Sequence, residues 1–165
     1  MRFKMIVDYY LGKSEDKDGN TVNDYLTFDD DTISRERNFI PWIFPSSEQS
    51  HGYDDAPVMD EAIVAKFRED NILREMVRQV VNRYLKFLNN TDGWRNTSDH
   101  NHIRITRMIR FLATIGMREE AEKVAKWCSE RGGSKKIKEG WVKSVEFKPP
   151  WDRKEEPTQE TKVEE

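Results

Sequence analysis

Cysteine is almost absent: Cys128 is the only one, which excludes an internal disulfide and a zinc site built on several thiolates, and points to a reducing, cytoplasmic setting. Cys128 itself reads as a small apolar filler on a helix. Long apolar runs are missing too. No stretch approaches the ~18 residues of a membrane span, and "MRFKMIVDYY" lacks the long apolar segment and small-residue cleavage site of a signal peptide, so no membrane insertion is expected. Positive charge is not in excess. The net charge of −3 gives no general attraction to nucleic acid or anionic lipid, so any basic site must be local. The sequence contains no Gly-rich phosphate loop, nucleophile elbow or Cys/His zinc pattern. Nothing specifies catalysis, and neither cofactor nor metal is expected. "EDKDGN" has part of a calcium loop but not its ligand spacing or closing Glu, and reads as a solvated turn.

What is present fits an all-α protein with a single multi-helix core and a charged tail. A chain of 165 residues can bury one core. Hydrophobic and charged residues each make up 36%, so part of the chain is expected to stay unpacked. That part is placed at 150–165, after Pro149-Pro150, where apolar residues nearly stop. Before it, 134–149 reads as a basic C-terminal extension, ambiguous in structure, and 1–133 as the helical domain.

Along that domain, Ile6–Leu11 is too short for periodicity to decide between strand and helix. Pro41 and Pro45 bracket Trp42-Ile43-Phe44, so any helix through Ser34–Ile40 should end or kink there. From Asp60 to Leu88 apolar residues recur at helical spacing, and the polar "REDN" predicts a break into two helices. Thr97, Ser98 and Asp99 can each cap the next helix, for which Gly116 is the natural stop.

The helix "HNHIRITRMIRFLAT" raises the functional question. At 100° per residue, Ile105, Met108, Ile109 and Leu112 share one apolar face, and His100, Arg104, Arg107 and Phe111 form a stripe beside it. Asn101 falls on the apolar face and should tie a loop or neighbouring helix. Two readings of the stripe stay open. The arginines can lie along the core edge and pair with Asp29, Asp30, Asp31 or Glu36. Alternatively, His100, Arg104 and Arg107 form a preorganised anion site. His100 and His102 point about 200° apart on a helix, so they do not make a shared metal site.

"NFIPWIFP" (Asn38–Pro45), followed downstream by "HNHIRITRMIRFLATIG" (His100–Gly116), resembles the conserved region of the opioid growth factor receptor family. The opening segment "IVDYYLGKSEDKDGNTVNDYLTFDDDTI" is similar to that family's start. The resemblance spans about Ile6 to Arg131. It implies an all-helical domain, with Ile6–Leu11 in a helix, but carries over no chemistry. Pro41 stands where the family has Gln, beside Trp42, and the family's nearby His is absent.

These observations lead to a non-catalytic binding domain for a peptide or protein, with Trp42, His100, Asn101, Arg104 and Arg107 as ligand-binding residues. An anionic small molecule held by the His100/Arg104/Arg107 stripe, as phosphate, nucleotide or enzyme substrate, is the first alternative. Nucleic-acid binding is the second. It would use Arg131, Lys135, Lys136, Lys138, Trp141 and Lys143 in the local basic runs, against the acidic total.

Overall fold

A computed structural model describes residues 2–50, 52, 53, 56–96 and 99–153. These residues contain ten helices and no strand. Ile6–Leu11 falls mostly within the first, α1 (Arg2–Tyr10), whose Ile6, Tyr9 and Tyr10 are fully buried.

Short helices with side-chain caps follow. Thr21 and Asp24 form a reciprocal capping box at α2 (Val22–Thr27), and the Asp29 carboxylate accepts the Thr32 N–H at α3 (Asp30–Arg35), which satisfies donors that would otherwise have no partner. Helix α3 stops well before the prolines. Pro41 instead sits in the first turn of α4 (Ile40–Ile43), where a missing N–H costs nothing.

The break between α5 (Glu61–Glu69) and α6 (Asn71–Asn89) falls at Asp70. One extended residue ends one helix and caps the next: its N–H bonds Lys66 O at 3.0 Å, and its Oδ1 accepts Ile72 N and Leu73 N at 2.9 and 3.1 Å. After α7 (Gly93–Asn96), Asp99 caps α8 (His100–Thr114) through the Asn101 N–H. Gly116, with φ of +78°, provides the left-handed turn that ends α8.

Helix α8 packs against α9 (Arg118–Arg131) and α10 (Lys135–Ser144), and lies between two aromatic groups. On one side Phe111 meets Phe67, Tyr10 and Phe44. On the other, the buried rings of Trp94 and Trp141 pack together, and Trp141 meets His102 edge-on.

The boundary expected at 133 therefore does not separate two bodies, because Trp141 of α10 is 1% exposed in the same core. The unpacked tail also begins later than expected. Pro150–Asp152 form a 3₁₀ turn, Trp151 packs half-buried on the core, and Arg153 pairs with Glu48. The expectation of disorder for 154–165 lies outside the described residues. Among the described residues, no helix is long and apolar enough to cross a membrane.

Candidate functional site

The polar residues of α8 divide by depth. Asn101 is buried, and its Oδ1 accepts the Tyr84 hydroxyl at 2.8 Å, so it ties α8 to α6. His102, also buried, donates from Nε2 to Trp94 O at 2.6 Å, the role a carbonyl partner requires.

Arg104 is 6% exposed. Its Nη1 donates to Ile33 O and its Nη2 to Glu36 O, both at 2.6 Å. A guanidinium thus closes the C-terminal end of α3, where carbonyls have no helical partner and the dipole is negative. The acid pairings expected for this arginine do not form. Asp30 pairs with Arg83 at 2.9 Å and Asp31 with Arg35 at 2.5 Å, while Glu36 offers Arg104 its carbonyl.

Arg107, one turn further on, differs. Its Nε donates to Phe44 O at 2.6 Å and its Nη1 to Ser50 Oγ at 2.7 Å. Among the described residues it forms no ion pair with an acid, and its Nη2 has no partner. Burial pushes its pKa down to about 10, against a smaller opposing effect of Tyr53, so it stays charged at neutral pH. Its guanidinium lies 5.4 Å from the Tyr53 ring centre.

Arg107 lines a cleft of about 410 Å³ between α8, the loop after α4 and the C-terminal segment. Arg104 and Arg110 border it too. Hydroxyl groups come from Ser46, Ser47, Ser50, Tyr53, Thr106 and Thr114. Ile103, Phe111 and Phe147 supply apolar wall, and the Arg110 guanidinium sits 5.0 Å from the Phe147 ring centre. Among the described residues, no Asp or Glu lines the cleft. Ser47 is 7% exposed, and its Oγ is buried without a partner among the described residues.

The structure therefore brings Arg104 and Arg107 to one cleft and leaves out the other expected ligand residues. His100 is exposed at the start of α8, with Nδ1 3.5 Å from the Asp99 carboxylate, and does not reach the cleft. Asn101 is committed to Tyr84. Trp42 is 6% exposed, lies 5.5 Å from Tyr9 ring to ring, and borders a separate pocket with Asp16 and Asn38. Ser47, Ser50, Tyr53, Arg110 and Phe147 escaped the sequence reading. Only Arg110 had a usable signal, lying three residues beyond Arg107 on the same helix.

The residues considered for nucleic acid form no comparable site. Trp141 is buried and its ring is closed to base stacking. Arg131 lies over the Trp127 ring at 4.2 Å, Lys135, Lys136 and Lys143 are exposed, and Lys138 is half-buried. Among the described residues, fold and site describe an all-helical protein with a cationic, hydroxyl-rich cleft. No family model, curated protein or solved structure matches the chain.

Proposed function

We propose that this protein is a non-catalytic binding domain of the kind found in the opioid growth factor receptor conserved region, and that it holds a peptide or protein partner by an acidic group placed in the cleft. One observation carries the reading: Arg107 is a half-buried cation that no carboxylate among the described residues pairs with. Buried charges are ordinarily paired, so an anionic partner supplies the missing counter-charge.

The kinship gains support from the way its two motifs meet. Phe44 of "NFIPWIFP" accepts from Arg107 of "HNHIRITRMIRFLATIG", and Ile40 and Pro45 line the cleft opposite Arg104 and Arg107. A cytoplasmic setting fits the reading, because Cys128 is free and buried.

The test is a thermal-shift screen of short acidic peptides against wild type and Arg107→Gln. A peptide at 100 times its Kd should add about 2.7 kcal/mol to wild-type stability and nothing to the variant. If the variant responds as wild type does, the cleft is not the site.

A further inference from the structure

We infer that the acidic group this cleft takes is a phosphate monoester rather than a carboxylate, an inference that rests on the binding role proposed above. Arginine recognises the two groups differently. A carboxylate is planar and is held best by two parallel N–H bonds from one guanidinium, whereas a phosphate monoester presents three acceptor oxygens in a tetrahedral array and carries roughly −1.5 to −2 charges at neutral pH.

One of the two forks of Arg107 is closed to a carboxylate. Either fork of its guanidinium includes Nη2 together with Nε or Nη1. Nε is already bonded to Phe44 O and Nη1 to Ser50 Oγ. Five N–H groups less these two leave three, both of those on Nη2 and the second on Nη1, so the Nε–Nη2 fork is closed while several donors remain for an anion with more than two oxygens.

Other donors come from the loop after α4 and from the next turn of α8. Ser47 Oγ is buried at the cleft wall without a partner among the described residues. Ser50 Oγ accepts from Arg107, which leaves its own hydrogen to donate onward. The exposed Arg110, on the next turn of α8, brings a second guanidinium that no carboxylate among the described residues holds. Donors on Arg107, Arg110, Ser47 and Ser50 outnumber the two oxygens of a carboxylate and suit the three of a phosphate. Two guanidinium groups that no carboxylate among the described residues pairs with match a dianion better than a monoanion. Tyr53 and Phe147 flank these donors and would receive an aromatic or apolar body attached to the phosphate.

Calorimetric titration of the full chain with phenyl phosphate and with benzoate separates the two acids on a common ring. Phenyl phosphate should bind at least tenfold more tightly at pH 7.5 and lose much of that advantage at pH 5.5, where the phosphate takes up a proton and Arg107 does not. Ser47→Ala should weaken phenyl phosphate about fivefold, the loss of one ordinary hydrogen bond, and leave benzoate unchanged. A phosphotyrosyl tripeptide tighter than phenyl phosphate would mark a peptide source for the group; an equal affinity would mark a free phosphomonoester. Benzoate binding as well as phenyl phosphate, or a phosphate preference untouched in Ser47→Ala, would overturn the inference and leave an anion cleft standing. No binding of either acid would overturn the cleft reading as well.

Discussion

Arg104 and Arg107 lie one turn apart on the same helix face, and the structure predicts opposite responses to the same substitution. Arg104→Gln removes two charge-assisted bonds and leaves the carbonyls of Ile33 and Glu36 to an amide that cannot reach both. With roughly 1.5–3 kcal/mol for a bond to a charged group, and part of it recovered by the new amide, the loss should be about 3 kcal/mol. For a domain of this size that is a fall in Tm of about 6–12 °C. Arg107→Gln also removes two bonds, but it relieves a half-buried charge that has no counter-charge among the described residues and whose pKa burial has already lowered to about 10. Its net effect should stay within about 1 kcal/mol of wild type. Urea unfolding followed by far-ultraviolet circular dichroism compares the two directly. Equal destabilisation by both variants, or a larger loss at Arg107, would refute the division between a structural arginine and a site arginine.

Other perturbations follow from burial and clearance. Trp42→Ala empties a buried indole site against Tyr9 and should cost about 3–5 kcal/mol by denaturant midpoint; a near-wild-type midpoint would mean the ring is free for a partner. Gly132→Ala would set a methyl group 2.5 Å from Arg95 Cα, a backbone contact that cannot yield cheaply, and should destabilise by about 1–3 kcal/mol or more in the same assay. Ending the chain at Pro149 removes the docked Trp151 and the Arg153–Glu48 pair, so Tm should fall by a few degrees, equivalent to about 1–2 kcal/mol. An unchanged Tm would show that the 3₁₀ turn adds nothing. Burial pushes the Cys128 thiol up to about 12, so at pH 8 a thiol reagent should label it only after unfolding; rapid stoichiometric labelling of the native protein would contradict that burial.

The helices were legible in the sequence because their signals are local. Asp70 breaks the long apolar pattern where the polar run predicted, Gly116 ends α8, and Asn101 on an apolar face finds a partner in Tyr84. The partners of the arginines were not legible. Arg104 and Arg107 bond to backbone carbonyls, and a carbonyl has no letter in a sequence, so attention went to the nearby acids. His100 misled for a related reason: the helical wheel placed it on the stripe, but at the first residue of α8 it projects past the end of the cleft. The burial of Trp141 could have been read from Ile137, Trp141 and Val145 at a spacing of four. The docking of Trp151 could not, because it goes with an ion pair between residues 105 positions apart.

The clamp that α8 places on α3 and on the loop after α4 also sets an order of events during synthesis. Its bonds join residues 71, 68, 63 and 57 positions apart, so on a ribosome adding about 5–20 residues per second the first third of the chain waits several seconds for its fasteners. Helices of six and four residues at α2, α3 and α4 are too short to persist alone. The aromatic residues of α1–α4 therefore emerge ahead of the helix that covers them. A nascent chain stalled before Asp99 should be protease-sensitive from its first residues, and should gain protection in a single step once α8 has cleared the exit tunnel.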